Sequence, residues 1–342
     1  MKKKDILSYY LEELGGEMEL LGEKKFRAKQ VYEWLHTKRV HDFANMSNIS
    51  SSLRTKLDET YCVNSLKIVR KLESALDNTV KYLYELPDGN HIESVLMEYK
   101  HGNSLCISTQ VGCKMGCSFC ASTIAGFKRN LSPSEMLLQV YTAEEDSGRH
   151  VDSIVLMGIG EPLDNFDNVV RFLKILSYEV GKNLSLRHVS LSTCGLVDRI
   201  YELAEYRFGL TLSISLHAPD DIKRSSIMPI NKRHNISELI KACRDYINKT
   251  GRRISFEYAV IHGVNDTAED ADKLIRLLKG INCHVNLIPV NEIKERNYRS
   301  DRNAVQAFAA LLEKGGLNTT VRRTLGADID AACGQLRREY EV

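Results

Sequence analysis

The chain has 342 residues, 43% hydrophobic and 27% charged, with nine cysteines and a net charge of +2. This suits one large α/β domain with a small accessory one and excludes a global basic field, so a nucleic-acid partner would be gripped by local patches. No apolar run reaches membrane-spanning length and the lysine-rich start leads into no signal peptide. The odd cysteine count, without a small secreted framework, argues against structural disulfides and for a reducing cytoplasm.

Residues 1–60 read as a helical accessory domain, with Phe26, Val31, Trp34 and Leu35 spaced as an apolar face. Residues 61–98 alternate as a β-extension, with a hairpin turn expected at Pro87-Asp88-Gly89-Asn90. From 99 to 342 short β-rich runs alternate with helical patterns. The strand candidates are 104–109, 151–157, 188–192, 211–216, 254–260 and 284–290, with a seventh at 319–323. Ser132-Pro133-Ser134-Glu135 is a capping box with proline at the first helical position, and Asn235 to Glu238 opens a later helix similarly, which Gly251 can close. Six βα units in a row imply a parallel sheet with right-handed crossovers. Six rather than eight predicts an α/β fold built as a partial, open (β/α)6 barrel. A flat doubly wound sheet has the same periodicity and remains the alternative.

Chemistry concentrates where these strands end, as it does in parallel α/β proteins. Cys113, Cys117 and Cys120 form a CxxxCxxC loop after the first barrel strand. Three thiolates can hold three irons of a [4Fe-4S] cluster and leave the fourth iron open, the signature of enzymes that cleave S-adenosylmethionine (SAM) to a radical. A structural zinc site is the bland alternative, but no second CxxC or CxxH half-site follows. Met157-Gly-Ile-Gly160-Glu161-Pro162 ends the second strand, Ser192 the third, Ser215-Leu216-His217 the fourth, and Asn291 follows the sixth. Bare backbone and Glu161 suit the SAM ammonium, the serines suit ribose or carboxylate, and Asn291 suits ribose or adenine edges. Each serine could equally satisfy local backbone, and His217 could be a core histidine. Cys106 precedes the triplet by seven residues, Glu93 lies in the strand before it, and Cys333 sits in a small-residue segment near the end. Cys62, Cys194, Cys243 and Cys283 read as inert core thiols.

With these residues assembled, the sequence resembles the RlmN/Cfr family of radical-SAM RNA adenine methyltransferases over nearly its whole length. The resemblance rests on the Phe26-Arg27 and Trp34 region, Gln110-Val-Gly-Cys113, Gly126-Phe-Lys-Arg-Asn-Leu131, Met157 to Pro162, Ser215-Leu-His217, Met228-Pro-Ile-Asn231, Val285-Asn-Leu-Ile-Pro289 and Asp328-Ile-Asp-Ala-Ala-Cys-Gly-Gln335. The last string holds the family's methyl-carrying cysteine.

The resemblance implies one [4Fe-4S] cluster and two SAM molecules per turnover. Adenine C2 has no lone pair to attack a sulfonium methyl. By analogy Cys333 therefore takes a methyl first and delivers it as a methylene radical generated by the second SAM. Glu93 matches the family's proposed proton acceptor. Cys106 matches the thiol that resolves the RNA adduct through a transient disulfide with Cys333. The implied substrates are adenine 2503 of 23S rRNA, reached before subunit maturation, and adenine 37 of certain tRNAs. The implied electron donor is of the flavodoxin type, and the protein is expected to be a monomer away from membranes. Lys24, Lys25, Arg27 and Lys29 are a candidate phosphate grip or a solvated helix face. Leu287-Ile-Pro-Val-Asn291 and Gly326-Ala-Asp328 look more like the RlmN branch than the Cfr branch, which methylates C8 of the same base. A radical-SAM peptide-modifying enzyme is a weaker alternative, since those commonly carry further cysteine clusters near the C-terminus, where this chain offers only Cys333.

Overall fold

Strands that alternate apolar and polar residues send every second side chain to the same face of a sheet. In the computed structural model, which describes residues 3–290 and 298–329, that alternation builds a sheet with one apolar and one polar face.

The N-terminal helical part comprises α1 (Leu11–Leu20), α2 (Arg27–His36) and α3 (Ser51–Thr60). It is tied off by a short parallel pair, β1 (Lys4–Asp5) with β2 (Tyr61–Cys62). Leu14, Met18, Val31, Leu35, Leu53 and Leu57 form its buried face. Phe26 departs from the expected apolar stripe. It caps the start of α2 rather than sharing its face, and is 57% exposed. Arg39 and Glu144 (2.5 Å), Arg171 and Glu13 (2.5 Å), and His36 Nδ1 with the Tyr141 hydroxyl (3.1 Å) fasten these helices to the rest of the molecule.

Next come three antiparallel strands, β3 (Lys67–Glu73), β4 (Val80–Glu85) and β5 (His91–Tyr99). The β4–β5 turn falls where expected, with the Gly89 N–H donating to the Leu86 carbonyl at 2.8 Å. β6 (Gly102–Cys106) pairs antiparallel with β5. A small ribbon follows, β7 (Gln110–Val111) with β8 (Arg129–Asn130). The chain then alternates α4 (Pro133–Ser147), β9 (Val151–Leu156), α5 (Phe166–Ser177), β10 (Val189–Thr193), α6 (Val197–Glu205) and β11 (Thr211–Ser215). It continues with α7 (Asp221–Ile227), α8 (Ile236–Thr250), β12 (Ile254–Val260), α9 (Ala268–Leu278), β13 (Cys283–Pro289), α10 (Arg302–Lys314) and β14 (Thr319–Val321). Ser132 and Glu135 cap α4 reciprocally, as do Asn235 and Glu238 on α8, and Gly251 closes α8 in a left-handed conformation.

The main sheet has ten strands in the order β14-β13-β12-β11-β10-β9-β6-β5-β4-β3. From β6 to β14 every pairing is parallel. A doubly wound sheet reverses strand order at a switch point, and here the order never reverses. Successive crossovers of one hand therefore lay the helices on one side, and the sheet is the open barrel of the expected class. Its helix-covered face is apolar: Leu105, Leu156, Leu191, Leu212, Ile214, Phe256 and Leu287 are all buried there. Its concave face carries rows of polar residues in register, Ser192 opposite Ser213 and Ser215 opposite Glu257, which in turn faces Asn286. Among the described residues no helix is long and apolar enough to cross a membrane.

Candidate active site

The β7–β8 ribbon closes the base of the cysteine loop. Gly112, with φ of +78°, starts it at a point where a Cβ would lie 1.7 Å from the Gly126 carbonyl oxygen, so no other residue fits. The Cys120 N–H donates to the Cys117 carbonyl (3.2 Å), the Thr123 hydroxyl to the Cys120 carbonyl (2.9 Å), and the Ser118 N–H to Ile227 at the end of α7 (2.9 Å). Cys113, Cys117 and Cys120 thereby line one wall of a single cavity. Burial pushes the Cys113 thiol up to about 12 and the Cys117 thiol higher still. Binding to a metal requires such thiols to give up their protons. No three His, Cys, Asp or Glu side chains among the described residues are placed to hold one metal ion. A cubane cluster instead asks each thiolate to bind a different iron, and three thiols around one open cavity fit that demand.

The cavity holds about 1220 Å³ of empty space, part of it open to solvent. Gly158, Gly160 and Glu161 form its second wall, Ser192 and Cys194 its third, and Ser215 and His217 its fourth. Gln110 joins the first two: its amide oxygen accepts the Glu161 N–H, and its nitrogen donates to Asn130 and Asp164, each at 2.8 Å. Gly160, at φ of +113°, packs against this glutamine so closely that a Cβ would approach it within 2.6 Å. Burial raises the Glu161 carboxyl, although the Cys194 N–H (2.7 Å) and Leu163 N–H (3.0 Å) donate to its oxygens. Ser192 and Ser215 place their hydroxyls 3.4 Å apart on adjacent strands. His217 Nδ1 accepts the Ala259 N–H at 2.9 Å, so the ring hydrogen sits on Nε2. Burial, aided by Arg224, lowers its pKa to about 3, so it is a neutral donor.

Five of the residues expected to hold SAM (Gly160, Glu161, Ser192, Ser215 and His217) thus share one cavity with the cysteine triplet. Leu216 does not: its side chain is fully buried in the apolar core, because alternation turns it away from the concave face. Asn291 and Cys333 lie outside the described residues. Glu93 and Cys106 sit together on the concave face. Cys106 ends β6 opposite Val95, and Glu93 is two residues along β5 on the same side. Glu93 does not face water. Its carboxylate lies 3.4 Å from the Lys81 ammonium, with both side chains fully buried.

Sequence reasoning passed over two residues that build this site. Cys194, set aside as inert core, lines the cavity directly after Ser192 and Thr193; the strand-end rule that found Ser192 extends to it. Arg224 is fully buried and donates to the carbonyls of Cys194 (2.7 Å), Ser215 (3.2 Å) and Leu216 (3.1 Å) and to the Asn231 side chain (2.9 Å). It ties two strand ends to the Met228–Asn231 segment. A lone arginine in a short helix gives no sequence signal for that role.

An open parallel barrel that delivers a CxxxCxxC loop from its first parallel strand to a nucleoside-sized cavity defines a radical-SAM enzyme. Accordingly, the radical SAM superfamily matches residues 107–278, and the ribosomal RNA large subunit methyltransferase N-terminal domain matches residues 4–63. The probable dual-specificity RNA methyltransferase RlmN of Lachnoclostridium phytofermentans is 54% identical over 99% of this chain and 96% of its own. The protein of the same description from Clostridium novyi is 51% identical over 98% of each chain. A crystal structure of a radical SAM methyltransferase from Sphaerobacter thermophilus, 41% identical, superposes with a TM-score of 0.92 over 97% of this chain and 98% of that one. The chain belongs to the RlmN family of radical-SAM RNA methyltransferases. Membership implies a [4Fe-4S] cluster and SAM as cofactors.

Proposed function

We propose that this enzyme methylates C2 of adenine 2503 in 23S rRNA and of adenine 37 in tRNAs, through a methyl group carried on Cys333. The observation that carries this reading is the placement of Cys106 and Glu93 together on the concave face: Cys106 is on β6, which adjoins the strand that ends at the Met157–Glu161 wall of the cysteine-lined cavity, and Glu93 is on β5, the next strand over.

Cys113, Cys117 and Cys120 would hold the cluster, and Gly158 to Glu161, Ser192, Ser215, His217 and Asn291 would hold SAM. When bound, the two supply the adenosyl radical that activates the methyl group on Cys333. Cys333 acquires that methyl by displacement at a sulfonium: a new S–C bond forms as the old one breaks. The neutral Nε2–H of His217 would offer SAM a hydrogen bond without adding charge. Glu93 takes the ring proton, with the Lys81 ammonium as its counter-charge. Cys106 then attacks the Cys333 sulfur: the S–S bond forms as the bond from that sulfur to the methylene carbon breaks, and the released carbon takes a proton to become the methyl group of the base.

The exposed Lys24, Lys25, Phe26 and Lys29 suit an RNA interface, cations for phosphate and an aromatic face for a base. We accordingly divide the chain into an RNA-binding segment at 1–60, a β-extension at 61–98 and a catalytic barrel at 99–342. The enzyme would act as a cytoplasmic monomer reduced by a flavodoxin-type donor. The C2 assignment is tested by nucleoside mass spectrometry on unmodified rRNA and tRNA. 2-Methyladenosine supports it, and 8-methyladenosine alone would move the chain to the Cfr branch.

A further inference from the structure

The concave face has a second cavity, towards the end of the lumen away from the cysteine loop. It holds about 1010 Å³ of empty space, part of it open to solvent. Much of its lining comes from the starts of strands: Ser190 pairs with Thr211 across β10 and β11, and Ser255 with His284 across β12 and β13. Arg253, directly before β12, and Arg322 and Arg323, directly after β14, bring three guanidiniums to it. Among the described residues none of these guanidiniums has a hydrogen-bond or ion-pair partner. Arg129, by contrast, spans Asp88 at 2.6 Å and Glu135 at 2.8 Å. Glu257 is the one acidic side chain in the lining among the described residues. Its oxygens are already taken by the Ser255 hydroxyl (3.0 Å) and the Asn286 amide (2.7 Å), and burial raises its pKa. Burial and the neighbouring Arg253 hold the His284 ring below its ordinary pKa, so it adds no fourth charge near neutrality.

Like charges gathered on one concavity repel each other, and that repulsion holds no strands together. The N-terminal end of a parallel barrel ordinarily serves stability, so an unneutralised positive cavity there calls for an anion. A guanidinium fork matches two phosphate oxygens at once, and the hydroxyls of Ser190 and Thr211 are further donors at the same wall. We propose that this end of the lumen binds the phosphate group of a small molecule on Arg253, Arg322 and Arg323. SAM carries no phosphate, so the site calls for a ligand besides SAM. An RNA backbone is gripped by cations strung along an exposed surface, whereas convergence on one concavity suits a compact anion. Met157, Glu257 and Arg322 line both this cavity and the cysteine-lined one, so the two share a wall.

The test uses the holoenzyme saturated with SAM, without reductant or RNA, in equilibrium dialysis against radiolabelled inorganic phosphate at constant ionic strength. The wild type should bind phosphate saturably, one per chain. Arg253→Ser and Arg323→Ser should each weaken binding about tenfold or more, the usual effect of removing a hydrogen bond to a charged group. Arg276→Ser, which removes an exposed arginine of α9, should bind as the wild type does. Unlabelled adenosine monophosphate that competes better than unlabelled phosphate would assign the site to a nucleotide, and poorer competition would assign it to the free anion. The absence of saturable binding to the wild type at millimolar phosphate would overturn the proposal, as would equal affinity in the wild type and both cavity variants. Release of the bound phosphate by one equivalent of substrate RNA would give these arginines to the RNA backbone and overturn it too.

Discussion

The two faces of the barrel sheet are made by the same strands and behave as different materials. In β10, β11 and β12 the residues Leu191, Leu212, Ile214 and Phe256 disappear beneath helices. Their neighbours Ser192, Ser213, Ser215 and Glu257 turn the other way. Parallel sheets covered on both faces read as unbroken apolar runs. Alternation in a parallel sheet therefore marks a face left without helices, which is what a lumen requires. The covered face supplies stability and the uncovered face supplies chemistry, and substitutions should separate the two.

The sharpest separation is expected at the cysteine loop. Cys117→Ala should lose the iron–sulfur absorbance and all detectable RNA methylation while unfolding near the wild-type temperature. A large drop in thermal stability would mean that the loop also supports the fold. On the concave face, Glu93→Gln should lower kcat about 10²–10⁴-fold, the usual contribution of a general base, with the cluster retained. Lys81→Met removes the ammonium 3.4 Å from the Glu93 carboxylate and should lower kcat in the same direction, by a smaller factor. On the covered face, Phe256→Ala should cost about 3–5 kcal/mol in denaturant unfolding through the cavity it leaves. Its kcat per folded molecule should be nearly unchanged, and a parallel loss of activity in cool, folded samples would blur the two-face distinction.

The last effect is one of pH. His217 on the concave side and His36 in the helical part both have pKa values lowered to about 3 by burial, against an ordinary value near 6.5. Between those values the unfolded chain binds protons that the folded chain refuses. Stability is then complete above about pH 6.5 and declines as pH falls towards 3. His36→Gln should make the fall in melting temperature over that range shallower.

Much of this was legible in the sequence. The seven parallel strands, the capping boxes and the cysteine loop follow from patterns of a few residues, because period and turn chemistry are local. Local signals also placed Gly160, Ser192 and Ser215 at strand ends. Three features stayed hidden because they depend on contacts far apart in the chain. The Lys81–Glu93 pair requires strand register, the Arg224 hub joins separate strand ends, and the hydrogen bond from Ser74 to Asp328 spans 254 residues. Leu216 shows the reverse error: a motif names three neighbours, but alternation brings only Ser215 and His217 to the cavity.

The central claim, C2 methylation of adenine through Cys333, is most directly tested by incubating cluster-loaded wild type and Cys333→Ala with SAM, a reductant and unmodified 23S rRNA and tRNA, then analysing nucleosides by mass spectrometry. The expected result is 2-methyladenosine in both RNAs from the wild type and none from the variant, with equal iron content. 2-Methyladenosine formed by Cys333→Ala at the wild-type rate would contradict it.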